Sequence, residues 1–267
     1  NWMNFKDCID SYPFILMEGA LGERLKREFD LDISGTVAMA DLIYQQKGRM
    51  ALKTLWNEYM DIAHRYQLPF LATTPTRRAN KERVYMAGYN ESIITDNVDF
   101  LRTIKETANV NMYIGGLMGC KGDAYTSERA LNQEEAIAFH SWQASLFKSV
   151  GVDFLYAGIM PVLSEAIGMA VAMSDTDIPY IISFTIQRNG KLIDGHTIND
   201  AIYYIDNHVS NKPVCYMTNC VHPDIVYEAL SHKFNQTQTV KSRFWGIQAN
   251  TSQLSYKELD GANHLHT

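Results

Sequence analysis

Cys220 stands in the stretch PVCYMTNCVHPDI, at the end of a run that reads as a buried β-strand, with Asn219 before it and His222 two residues after. A cysteine thiolate is a preferred soft ligand for zinc. The same thiol, buried, is an ordinary small apolar side chain, so residue type alone leaves packing and metal binding both open. Cys215 lies five residues earlier. By strand alternation it faces the other side and cannot meet Cys220 at one metal. His222 and Asn219 are placed to ligate, and equally to serve the turn and cap the helix expected in HPDIVYEAL.

Other reactive side chains close other apolar runs. Glu18 is followed by GALGE, where Gly19 and Gly22 let backbone N–H groups approach a carboxylate at a helix N-terminus. The same glycines can serve the turn alone. TTPTRRAN carries Thr74 and the adjacent Arg77 and Arg78. An arginine there can fork a carboxylate or phosphate, although one of two neighbours normally lies in solvent. In GCKGDAY the glycines permit a tight loop from which Asp123 and Tyr125 can reach inward. His140 falls inside a helical stretch and reads as a face residue without a catalytic role.

These residues need a frame that brings strand ends together. Seven short apolar runs begin at Phe14, Leu68, Asn111, Asp153, Pro179, Pro213 and Phe244. Several are apolar on consecutive residues, as strands covered on both faces must be. Helical candidates lie between them, among them stretches starting at Asn97, Asn132 and Val162. Alternation of this kind predicts an α/β fold with a parallel sheet. No linker or shift in composition divides the chain, so one domain over 1–267 is expected. Seven units in this length suggest a (β/α)8 TIM-type barrel, whose chemistry gathers at the carboxyl ends of the strands. The last strand and helix are missing from that count. The chain starts with Asn and stops in polar residues after QANTSQLSYKELDGANHLHT, so trimmed ends are expected.

Composition narrows the function. Of 267 residues 46% are hydrophobic and 20% charged, the profile of a folded globular chain. A net charge of -6 with both signs scattered gives no basic stripe, so neither nucleic acid nor an anionic membrane is an expected partner. No apolar run approaches the roughly 20 residues that span a bilayer, and the N-terminus lacks a signal-peptide pattern. Four cysteines without a C-x-x-C clip suit reduced thiols and a cytoplasmic location. A small-molecule partner is the expectation. A homo-oligomer is compatible with the sequence without being called for.

Taken in order, ILMEGALGERLKRE, TTPTRRAN, GLMGCKGDAY, GVDFLYAGIMPVLSEA, SFTIQRNGKLIDGHTINDAI and VCYMTNCVHPDIV resemble the homocysteine S-methyltransferase family over nearly the whole chain. The resemblance implies a zinc-containing (β/α)8 barrel that moves a methyl group from a small onium donor to the sulfur of homocysteine. It makes Cys220 the match of the family's first zinc-binding cysteine. The other two family ligands form a Gly-Gly-Cys-Cys-Gly motif at strand eight, which this sequence does not contain. Glu18, Gly19, Thr74, Arg77, Arg78, Gly158 and Asn250 are the implied substrate-binding positions, with Tyr125, Tyr156 and Phe184 as aromatic candidates for the cationic donor.

Four departures bear on the substrate. Gly158 stands where the family usually has a glutamate that receives the amino group of homocysteine, and a lost charge-assisted contact is worth roughly 1.5 to 3 kcal/mol. Thr74-Pro75-Thr76 replaces Thr-Asn-Thr, and Gln248-Ala249-Asn250 replaces Tyr-Pro-Asn. Glu18 replaces an aspartate, and its longer arm partly compensates for Gly158. Two rival readings keep the barrel: a metal enzyme acting on an anionic substrate held by Arg77 and Arg78, and a noncatalytic ligand-binding barrel.

Overall fold

The computed structural model describes residues 3–19 and 21–249. Seven strands form one sheet in chain order: β1 (Leu16–Met17), β2 (Phe70–Thr73), β3 (Met112–Gly119), β4 (Phe154–Met160), β5 (Tyr180–Phe184), β6 (Cys215–Val221) and β7 (Phe244–Ala249). The pairs β1–β2, β2–β3, β5–β6 and β6–β7 are parallel. All seven expected strands are present, although the run from Phe14 contributes only Leu16 and Met17. An eighth strand, following β7, would lie outside the described residues.

Among the described residues ten α-helices accompany them: α1 (Phe5–Ser11), α2 (Leu21–Phe29), α3 (Gln46–Arg65), α4 (Lys81–Met86), α5 (Ser92–Lys105), α6 (Gln133–Val150), α7 (Leu163–Ser174), α8 (Ile198–His208), α9 (Pro223–Ser231) and α10 (Gln238–Arg243). No described helix is long and apolar enough to cross a membrane.

The chain forms two compact units, residues 1–118 with 142–156, and residues 119–141 with the chain from 157 onward. In the first unit, α3 places Leu52, Leu55, Trp56 and Met60 on one face, the spacing of an amphipathic helix. They pack with Leu25, Leu42, Phe70, Leu101 and Met112 into a buried cluster. Gly115 and Gly116 on β3 leave room for large neighbours. A Cβ on Gly116 would sit 2.6 Å from the Phe147 ring, and one on Gly115 would strike Phe154. The aromatic rings therefore pack directly on the strand backbone.

In the second unit, β5 is buried at every position. Phe184 stacks on Tyr216 with ring centroids 5.5 Å apart. Beneath β6, Arg243 donates to both carboxylate oxygens of Asp206 and to the carbonyls of Pro213 and Val214. This joins α8, α10 and the entry to β6. Thr197 caps α8 by accepting from Asp200 N at 3.0 Å, and Pro223 opens α9 at a position where a missing N–H costs nothing.

Candidate active site

In the first unit, β1 delivers Glu18 into the interior, where its side chain is buried. Thr73, the last residue of β2, donates to Oε1 from its backbone N at 2.9 Å and again from its hydroxyl. Trp56 on α3 donates its indole N–H to Oε2. These bonds favour the carboxylate, but burial outweighs them and pushes Glu18 up to about 7. A carboxyl group poised there can exchange a proton near neutral pH. Sequence reasoning found Glu18 and missed Trp56 and Thr73, because Trp56 lies in the same apolar stripe as its core neighbours.

Around Glu18 the chain is closely tied. Gly19 is exposed, and its carbonyl accepts from Leu21 N at the start of α2. A Cβ on Gly19 would meet the Tyr59 hydroxyl at 3.0 Å. After β2, the Thr74 and Thr76 hydroxyls are 2.7 Å apart, and Thr76 donates to Leu117 O on β3 at 2.7 Å. Thr74 is buried, while Arg77 and Arg78 are both half-buried. Neither arginine is the freely solvated member that the sequence led one to expect.

In the second unit, Cys220 is half-buried near the carboxyl end of β6, whereas Cys215 is buried. Burial pushes the Cys215 thiol up to about 12, which marks it as packing. The β6–β7 ladder pairs Asn219 with Gln248 and Val221 with Ala249, leaving Cys220 as an extra residue. It is a β-bulge, with φ at +58°. The alternation used to place Cys215 and Cys220 on opposite faces therefore stops at residue 220. A left-handed conformation costs a non-glycine residue about 1–2 kcal/mol. Such strain persists only where the surrounding structure holds the residue in place.

The neighbours of Cys220 have structural occupations. Asn219 accepts from the Ser183 hydroxyl through Oδ1. His222 caps α9, its Nδ1 accepting from Asp224 N at 3.0 Å. Among the described residues no three His, Cys, Asp or Glu side chains converge as a metal site. The described donor set thus offers zinc one suitable thiolate and does not complete a tetrahedral shell.

Gly158 is buried in β4, and the next residue, Ile159, has φ at +56°, an unusual conformation for a β-branched side chain. Asn250 lies outside the described residues. Of the aromatic candidates, Tyr156 and Phe184 are fully buried, and Phe184 is engaged with Tyr216; Tyr125 is half-buried.

His140 corrects another expectation. It is buried on α6, with Nε2 2.8 Å from Glu165 Oε2 on α7. It is not a face residue. The helical pattern placed it on a helix but could not see that α7 presents a carboxylate to it.

Comparison with known proteins agrees with the fold. A solved structure of the homocysteine methyltransferase MmuM from Escherichia coli, in its metallated form, is 17% identical, covers 93% of this chain and 95% of its own, and superposes with a TM-score of 0.73. The oxidized form of the same protein gives 17% identity, the same coverage and a TM-score of 0.74. The homocysteine S-methyltransferase YbgG from Bacillus subtilis (strain 168) is 21% identical over 217 residues, 75% of this chain and 67% of that protein. The family model described as homocysteine S-methyltransferase matches residues 15–264. A match of that extent settles the descent of this chain, an α/β methyltransferase that belongs to the homocysteine S-methyltransferase family.

Proposed function

We propose that this chain is a zinc-dependent S-methyltransferase moving a methyl group from a small onium donor to homocysteine or a related thiol. The observation that carries the reading is Cys220, lifted out of the β6 ladder into a left-handed conformation and left half-buried near the strand's carboxyl end. The name of MmuM as a homocysteine methyltransferase with a metallated form supports it. We also read the seven strands as part of one (β/α)8 barrel domain.

Cys220 would supply one thiolate to zinc, with the remaining ligands outside the described residues. Zinc held there would keep the acceptor sulfur in thiolate form, since a free thiol with pKa about 8.5 is mostly protonated near neutrality. In the transfer, a sulfur lone pair forms the S–C bond as the bond between methyl and onium centre breaks. The thiol proton is released, and the donor leaves uncharged.

Glu18 would take the acceptor's ammonium. Its proton is held by burial, and an arriving cation would favour its loss. Gly158 supplies no second carboxylate, so acceptor binding rests on fewer charged contacts. Arg77 and Arg78, both half-buried, would hold a carboxylate. That same feature favours the second reading, turnover of a different anionic substrate.

The test is zinc content per chain in protein expressed from the complete coding sequence, beside Cys220→Ala, followed by assay of homocysteine with S-methylmethionine or betaine. About one zinc, lost in the variant, together with methionine formation supports the proposal. Absence of zinc from the unmodified protein removes the metal mechanism, and metal-dependent turnover without methylated thiol favours the second reading.

A further inference from the structure

Glu165 is fully buried in the first turn of α7. Its carboxylate is used by three donors. Oε2 accepts from Lys121 N at 2.8 Å and lies 2.8 Å from His140 Nε2, while Oε1 accepts from Leu131 N at 3.1 Å. Lys121 and Leu131 are the two ends of the loop that leads from β3 toward α6. One side chain therefore ties both ends. His140 Nδ1 has no hydrogen-bond partner among the described residues, which fits the tautomer whose Nε2–H donates a hydrogen bond to Glu165 Oε2.

The loop between the ties is tight. Gly122 has no room for a Cβ, which would strike Glu128 O, and Asp123 N donates to that carbonyl at 3.0 Å. The Asp123 carboxylate accepts from Tyr125 N at 2.7 Å and Thr126 N at 3.1 Å. Its middle is fastened to the carboxyl end of β5, where buried Thr185 donates to Ala124 O at 2.9 Å. β5 pairs with β6 through Phe184 and Thr218, two residues before Cys220. The loop is thus held at the same end of the sheet as Cys220.

We propose that Glu165 is a positioning residue which, by closing the 121–131 loop against the β5 end, sets how tightly the acceptor thiol is held. This rests on the methyltransferase reading above. Glu165 touches no reacting atom in this scheme. It acts through the backbone of Lys121 and Leu131, and His140 orients it.

The test is Glu165→Gln in the full-length, zinc-loaded protein. An amide keeps one acceptor oxygen and turns an N–H toward another donor, so at least one end of the loop is released. Losing a charge-assisted bond corresponds to about tenfold or more in the opening equilibrium. Trypsin cleavage after exposed Arg129 should accelerate by about that factor, and KM for homocysteine should rise similarly while kcat changes less than about threefold. Thr185→Val, which removes only the tie to Ala124, should move both readouts in the same direction by less and serves if the first variant does not fold. Arg243→Lys, which weakens the second unit at the other end of β6, should lower the melting midpoint and leave both readouts unchanged.

Unchanged cleavage and KM in both loop variants overturns the proposal, as does an equal shift in Arg243→Lys. If the unmodified protein methylates no homocysteine, the methyltransferase reading fails separately. The trypsin comparison then decides the clamp alone.

Discussion

Glu18→Gln should change how stability depends on pH. The Glu18 carboxyl rises from 4.5 to about 7 on folding because burial disfavours its charged form. The folded chain therefore binds the proton more tightly than the unfolded chain. Stability from this group is fully present below the unfolded value and is lost as pH rises through about 7. At about 1.4 kcal/mol per pKa unit, the difference amounts to about 3 kcal/mol, most of it lost between about pH 5 and pH 8. The protonated form has a place for its hydrogen, since the Thr73 hydroxyl can turn to accept it. Glutamine keeps the shape but cannot ionise, so the variant carries its own constant penalty from an amide N–H facing Trp56 or Thr73 N–H. Urea unfolding across that range for both proteins isolates the difference in slope. Curves that stay parallel within about 0.5 kcal/mol would refute the argument.

Cys220→Gly should stabilise the metal-free protein by up to about 1 kcal/mol, because glycine accepts the +58° backbone at the expense of some unfolded-state entropy. A clear loss in thermal or urea unfolding would show that the thiol's packing outweighs the strain. Gly116→Ala should destabilise by about 1–3 kcal/mol as its methyl presses on Phe147, read by urea midpoint at constant slope. Arg243→Met should cost about 3 kcal/mol, since Asp206, only 12% exposed, loses its cationic partner. A cost below about 1 kcal/mol by the same measurement would mean that water replaces the guanidinium without difficulty.

The strands were legible because a sheet covered on both faces leaves unbroken apolar runs, and β2, β4 and β5 are buried throughout. Their order followed from the repeated alternation with helices. What stayed hidden was long-range pairing. Trp56 and Glu18 are 38 residues apart and His140 and Glu165 are 25 apart, and no local period connects either pair. Cys220 was legible as a thiol at a strand end. Its bulge was not, because alternation assumes a regular ladder and one extra residue cancels the count. The tie from Glu165 to two loop amides was invisible for a simpler reason: backbone donors carry no residue type.

The four thiols of this chain differ in accessibility. Cys8, Cys120 and Cys215 are buried, and Cys220 alone is half-buried. Electrophiles and oxidants meeting the native metal-free protein will consequently act first on one sulfur, and an alkylating reagent should take up one equivalent rapidly and three more only on unfolding. The residue proposed to hold zinc is also the chain's point of chemical vulnerability. A bound metal would protect that sulfur by occupying its lone pair, so the rate of alkylation offers a direct gauge of occupancy.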